Sequence, residues 1–232
     1  KSYVPVTIAQ DVDANSVAEI TTRSTELIGM SAEQSYTRVY PKNTTAAHIV
    51  GYMGKVYSEE ELAELEEKGY STDATVGVSG VEATMEEQLS AAIGTRVGKQ
   101  KAEVNSRGKV TRILESKEPQ SGNDVMLTID YELQQKLESA LENNIKIIRQ
   151  EQEKLYNQNY AKYEEKEQDR GGTKTKFASM GAAIVMDVNT GNVLAMASYP
   201  SFDPNMFIGG ISEEDYQALN DPDTAPLFNK AI

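Results

Sequence analysis

Gly181-Ala182-Ala183-Ile184-Val185-Met186-Asp187-Val188, then Asn189-Thr190-Gly191-Asn192, then Val193-Leu194-Ala195-Met196-Ala197-Ser198, is the stretch whose reading decides the fold. The first eight residues are a nearly continuous apolar run, the pattern of a strand covered on both faces. Residues 189–192 are turn-formers, so the second apolar run returns as the antiparallel partner. A proline-punctuated loop, Tyr199-Pro200-Ser201-Phe202-Asp203-Pro204-Asn205, follows. Ser212-Glu213-Glu214-Asp215 then opens a short helix. A sheet domain therefore begins near residue 177, and the sequence stops before such a domain is complete.

Upstream, Asp124-Val125-Met126-Leu127-Thr128-Ile129 has strand character and leads to Asp130, a good N-cap. Leu133, Leu137, Leu141, Ile145, Ile148 and Leu155 make an apolar stripe at helical spacing that thins as it proceeds. From about 149 to 176 the composition turns to Gln, Glu, Lys, Asn and Tyr, ending in Gly171-Gly172-Thr173. This predicts a solvated helix or partly mobile insertion, with a docking arm for another protein as the alternative.

The first 128 residues alternate short strands with short capped helices. Residues 3–9 alternate like a half-buried strand. Asp13 caps a helix carrying Val17, Ile20, Ser24, Leu27 and Ile28 and ended by Gly29. Ser58-Glu59-Glu60-Glu61 has the form of a capping box, opening an acidic helix that stops at Gly69. Ser79-Gly80-Val81-Glu82 is a second such box, opening a helix with Val81, Met85, Leu89 and Ile93 on one side that stops at Gly94. Residues 96–104 and 109–115 read as a hairpin around Asn105-Ser106-Arg107-Gly108. The expected fold class is α+β, in three parts: 1–128, 129–176 and 177–232.

Composition excludes several functions. Thirty-six acidic against twenty-three basic residues give a net charge of −13, which repels a phosphate backbone, so no nucleic acid is expected as a partner. Without cysteine there are no disulfides, thiolate metal sites or cysteine nucleophiles. One histidine, His48, cannot build a multi-histidine metal site, and a Ser-His-Asp triad would rest on it alone. No apolar run approaches the ~20 residues of a bilayer span. The chain opens on Lys1 and stops in mid-pattern, so we read it as a piece of a longer protein.

Side chains that could carry chemistry are few. Ser106-Arg107-Gly108-Lys109 is the one literal serine–lysine match at one-turn spacing, a pairing in which the amine takes the hydroxyl proton. It falls in the hairpin turn, where the helical geometry that makes the spacing useful is absent. His48 lies in the apolar segment 46–52, more like a strand than a site, and is expected to be packed or hydrogen-bonded. Carboxylates are too frequent for any pair to indicate a glycosidase. Asn43-Thr44-Thr45 matches a glycosylation acceptor with nothing further behind it. No cofactor, metal or catalytic residue is expected in this chain.

A series of motifs in fixed order goes further. Arg38-Val39-Tyr40-Pro41, then Ala47-His48-Ile49-Val50-Gly51-Tyr52, resembles the membrane-proximal region of class B penicillin-binding proteins. Gly80-Val81-Glu82 with Leu89 and Gly94, then Asn105 and Gly108, continue the resemblance. Residues 122–134, with Asp130, resemble the entry into the family's transpeptidase domain. Gly181 to Asp187, then Gly191 to Ser198 and Pro200, resemble that domain's first two strands. Pro226-Leu227-Phe228-Asn229-Lys230-Ala231 is similar to the segment just ahead of the catalytic serine, with Lys230 where an arginine is usual.

The resemblance implies an N-terminal membrane anchor upstream of residue 1, an elongated pedestal, and a D,D-transpeptidase that cross-links peptidoglycan outside the cytoplasmic membrane. The nucleophile of its Ser-x-x-Lys motif is acylated by β-lactams; the resemblance places that motif, and the family's Ser-x-Asn and Lys-Thr-Gly motifs, after Ile232. Thr173-Lys174-Thr175-Lys176 is no substitute, because it precedes the domain's first strands. The implied function is a non-catalytic pedestal that positions the transpeptidase domain of the same protein. Implied partners are cell-wall polymerases or division and elongation proteins, with self-association open. The alternatives are part of an intact active transpeptidase, or a β-lactam-sensing ectodomain. Arg38, beside Tyr40, is expected to pin the pedestal through carbonyls or a carboxylate.

Overall fold

Asp130 accepts the Leu133 N–H at 2.8 Å and starts the longest helix of the chain, α6 (Tyr131–Gln158). The computed structural model describes residues 8–9, 12–23, 26–27, 29–30, 32, 37–56, 58–70, 74–91, 96, 98–104, 110–118 and 120–232. They fall into two compact units, Lys1–Thr37 with Gly94–Gln120, and Arg38–Ile93 with Ser121–Ile232.

In the first unit, Asp13 caps α1 (Ala14–Thr22) by accepting the Asn15 and Ser16 N–H groups. The helix stops seven residues short of the predicted end at Gly29. Thr21 and Thr22 turn their hydroxyls back onto the Val17 and Ala18 carbonyls, and β-branched residues that bond this way are poor helix interiors. Strand β3 (Lys99–Val104) pairs antiparallel with β4 (Val110–Lys117), giving the expected hairpin with two register shifts. Its turn, with Asn105, Ser106 and Gly108, lies outside the described residues, as do Ser24, Ile28, Gly94 and residues 3–7. Ile8 and Ala9 are exposed and lie in no strand.

The second unit is built around α6. Strands β5 (Gly181–Met186) and β6 (Val193–Tyr199) form the expected antiparallel hairpin, and α6 lies against both. Leu141 and Ile145 approach so closely that a Cβ at Gly181 would meet Ile145 Cδ1 at 3.0 Å. Only one face of β5 is covered, a correction to the two-sided burial expected: Ile184 and Met186 are 48% and 53% exposed. The stripe on α6 also differs. Its innermost residue is Gln134, fully buried, while Ile148 and Leu155 are about half exposed. The Gln134 amide donates to the Met196 carbonyl and accepts the Met196 N–H, both at 2.8 Å. A helix side chain thus does for β6 what a neighbouring strand would. Residues 124–129 lie in no strand, a correction to the strand expected there; they are held by Thr128 Oγ1 to the Val193 carbonyl and by Asp130 N–H to the Leu194 carbonyl.

Most of residues 149–169 is helical, as one of the expected readings had it, and 170–176 turn back outside any helix. The end of α6 and α7 (Tyr160–Asp169) form a helical excursion that turns back at Gly171 and Gly172, both at positive φ. It carries a small core of its own. Tyr156 packs edge-on to Tyr160 and Phe177. Buried Glu167 accepts the Thr175 N–H at 2.9 Å, the Lys174 ammonium at 3.1 Å and the Tyr156 hydroxyl at 3.2 Å. Residues 174–175 thus close this excursion.

The remaining elements are α2 (Ala47–Val50), α3 (Glu59–Glu67), α4 (Gly80–Thr84), α5 (Glu86–Leu89), α8 (Glu213–Leu219), and strands β1 (Met53–Lys55) and β2 (Thr75–Gly77), which pair antiparallel. The capping boxes at Ser58 and Ser212 form as predicted, each hydroxyl accepting the N–H three residues on. The core joins Ala47, Phe202, Phe207 and Leu219, with Tyr52, Ile211 and Leu227 against it.

Two outcomes test this packing. Gln134→Leu leaves the Met196 backbone groups buried and unpaired, so urea unfolding of the whole chain should lose about 2–4 kcal/mol. Glu167 is held down to about 2, chiefly by the Thr175 N–H. A depressed carboxylate adds stability that is complete above its ordinary value near 4.5 and lost as pH falls toward 2. Glu167→Gln should flatten that acid limb of the thermal midpoint against pH.

Candidate functional site

The polar side chains that tie distant parts of the second unit converge on the short helix α2 and the segments beside it. Arg38 donates to buried Glu82 at 2.8 Å, so of the two anchors expected for it, carbonyls or a carboxylate, the bond shown is to a carboxylate. The capping box predicted at Ser79 is not made: Ser79 forms no side-chain cap, and the Glu82 carboxylate that would complete the box bonds Arg38 instead. The helix predicted from Ser79 also breaks at Met85 into α4 and α5.

Tyr40 is bound on three sides. Its N–H donates to Asn205 Oδ1 and its carbonyl accepts from Asn205 Nδ2, both at 2.9 Å. Its hydroxyl accepts the Met53 N–H at 3.1 Å. Burial, then the charge of Glu82, pushes the phenol well above its usual range, so it stays protonated. Pro41 starts the exposed turn that leads to Ala46, at φ 56. Left-handed backbone costs a non-glycine residue about 1–2 kcal/mol, and here the Ala46 N–H donates to Glu138 Oε1 at 2.8 Å. Burial raises the Glu138 carboxyl, opposed by its bonds from Gln134 and Ala46.

Residues 47–50 are a helix, correcting the strand expected around His48. The packed, hydrogen-bonded histidine does hold. Its Nε2 lies 2.7 Å from the Pro226 carbonyl, which can only accept, so Nε2 carries the proton. Its ring meets Phe202 edge-on. Burial pulls the imidazole below its ordinary value, the Pro226 bond opposes this, and Lys230 adds to it.

Gly51 and Gly80 make this arrangement sterically feasible. A Cβ at Gly51 would lie 1.9 Å from the Ser79 carbonyl oxygen, and one at Gly80 would lie 2.5 Å from that of Ile49. Both sit at positive φ, so α2 ends and α4 begins backbone against backbone.

The motif residues therefore separate. Arg38, Tyr40, Gly51, Gly80 and Glu82 gather here; Asp130 and Gly181 serve α6 and β5. Asp187 and Gly191 form the β5–β6 turn, where Asp187 accepts from Asn189 N–H and Thr190 Oγ1. Asn105 and Gly108 lie outside the described residues. Sequence reasoning missed Gln134, Glu138, Ser198 and Asn205. The first two sit one turn apart on the inward stripe of α6, a polar pair where apolar residues are expected, and that was a readable signal.

The site's chemistry is positional. Ser198 Oγ accepts the Lys230 N–H at 3.1 Å and donates to the Phe228 carbonyl. Lys230 Nζ donates to the Ala225 and Phe228 carbonyls, and burial lowers this amine. Among the described residues no His, Cys, Asp and Glu cluster could hold a metal ion, and no helix is long and apolar enough to cross a membrane.

Comparison with known proteins gives two family matches, the penicillin-binding protein dimerisation domain over residues 1–127 and the penicillin-binding protein transpeptidase domain over 181–232. The peptidoglycan D,D-transpeptidase MrdA of Escherichia coli is 30% identical over 234 residues, covering 99% of this chain and 30% of its own length. The Acinetobacter baumannii protein of the same name is 28% identical over 227 residues, covering 98% of this chain and 28% of its own. The chain thus spans about a third or less of these relatives. Among solved structures, a complex between penicillin-binding protein PBP2 and MreC from Helicobacter pylori matches with a TM-score of 0.60 at 26% identity, over 94% of this chain and 33% of that one.

The Arg38–Glu82 pair supplies the test of this arrangement. Arg38→Met alone strands a buried carboxylate, whereas adding Glu82→Gln removes the charge. A double-mutant cycle should return a coupling of about 1–2 kcal/mol, with the double variant more stable than Arg38→Met.

Proposed function

The chain belongs to the class B penicillin-binding proteins, carrying their dimerisation domain followed by the N-terminal part of a transpeptidase domain, and on that premise we propose that it is the non-catalytic foot of a peptidoglycan D,D-transpeptidase. Residues 1–128 act as pedestal, 129–176 as connecting helix and excursion, and 177–232 as the opening of the catalytic domain. The observation that carries this reading is the set of bonds from 38–52 to the far end of the sequence, Tyr40 to Asn205 and His48 to Pro226. A region that grips the opening of a catalytic domain at several points sets that domain's place and orientation.

The parent protein then binds penicillin and cross-links peptidoglycan on the outer side of the bacterial cytoplasmic membrane, held by an anchor preceding Lys1. The pedestal surface receives cell-wall elongation or division proteins; the Helicobacter pylori relative in complex with MreC supports this. The exposed face of β5, with Ile184 and Met186, is where the rest of the sheet domain would pack.

A fluorescent penicillin separates foot from enzyme. The 232-residue chain should show no covalent band on a denaturing gel, whereas the full natural gene product should show one. A stoichiometric band on the short chain that disappears in Ser106→Ala or Ser198→Ala would overturn the non-catalytic reading.

A further inference from the structure

We propose that His48 is a positioning residue for segment 225–231, the stretch that resembles the run-in to the acylated serine; this rests on the foot-of-a-transpeptidase reading.

Pro226 is buried and Leu227 packs against the core, and polar contacts hold the rest of the segment. Phe228 is 64% exposed and Ile232 88% exposed, so the side chains nearest the end contribute little burial. Ala225 sits at φ 40, a left-handed conformation that an alanine keeps only when its neighbours impose it. Three contacts do so. Lys230 Nζ folds back onto the Ala225 carbonyl at 2.7 Å, and Ser198 binds residues 228 and 230 from β6. The third is His48. Pro226 is buried and has no N–H, so its carbonyl is its only backbone polar group, and the His48 donor satisfies it. Deleting that donor leaves a buried acceptor unpaired, and the local remedy is for the segment to lift toward water.

The surroundings give the contact a pH dependence. Segment 225–231 brings Lys230 toward the imidazole. The other charges on elements around α2 are already engaged: Glu82 with Arg38, Glu138 with the Ala46 N–H, and Asp203 with Asn205. Imidazolium would retain the Nε2–H bond, but it would add a second cation beside Lys230 in a desolvated place. Neutral His48 therefore favours the closed segment. Closure is complete above the ordinary histidine value near 6.5 and weakens as pH falls below it.

Amide hydrogen exchange on the 232-residue chain reads this directly, after correction for intrinsic rates. His48→Phe keeps ring volume and loses the donor; His48→Gln keeps an N–H donor near the Nε2 position. With His48→Phe, the Phe228 and Lys230 amides should exchange about tenfold faster while α6 amides are unchanged, and His48→Gln should restore them to within about twofold. Lowering pH from 7.5 to 5 should loosen the same amides in the wild type but not in His48→Gln. Equal loosening by both variants, or no loosening by His48→Phe and no pH effect, would overturn the proposal. In the full gene product, His48→Phe should slow penicillin acylation about tenfold, with rescue by His48→Gln. A segment that loosens while acylation is unchanged would also overturn it. A wild-type product that never acylates, with the exchange pattern intact, would sink the transpeptidase reading and leave the His48 contact standing.

Discussion

A helix of four residues cannot sustain itself, because its ordering cost exceeds what one or two internal hydrogen bonds return. Helix α2 exists because groups outside it do the holding. Glu138 takes the Ala46 N–H at its start, the backbone of α4 abuts Gly51 at its end, and Pro226 takes the His48 donor from its middle. Each holder comes from a different part of the chain. Displacing any of them loosens α2, and through α2 the others.

The same logic governs the hairpin. Two strands alone are marginal in water. Here the Gln134 amide extends the β6 hydrogen bonding sideways into α6, while Ala195 and Ala197 let the helix come close. Glu138, one turn further along, continues the line to α2. A single helix face therefore serves both the sheet and the pedestal-like segment, through polar contacts more than through apolar burial.

This division also decides what was readable in the sequence. Elements set by nearest neighbours were legible: the caps at Asp13, Ser58, Asp130 and Ser212, the β5–β6 hairpin, and the length of α6. Ordered motifs carried the family. Where a distant partner competed with a local rule, the local rule lost. Glu82 left its capping box for Arg38, residues 47–50 coiled because Glu138 and Gly51 shaped their ends, and 124–129 found single bonds rather than a ladder. A one-dimensional pattern holds no trace of Asn205 gripping Tyr40 across 165 positions. Acid abundance hid Glu138 and Glu167 among many solvated carboxylates.

The helical excursion has an evolutionary corollary. Its base is closed by Gln152, whose side-chain Oε1 takes the Ala178 N–H at 2.7 Å, and within it Glu167 bonds Tyr156, Lys174 and the Thr175 N–H while Tyr156 packs on Tyr163. A branch sealed at its root can grow or shrink by whole turns without moving either end. The stretch from Tyr40 to Met53 has no such freedom, since one tyrosine is gripped at its backbone by residue 205 and at its ring by residue 53. Insertions and deletions among relatives should therefore collect in the first and be purged from the second.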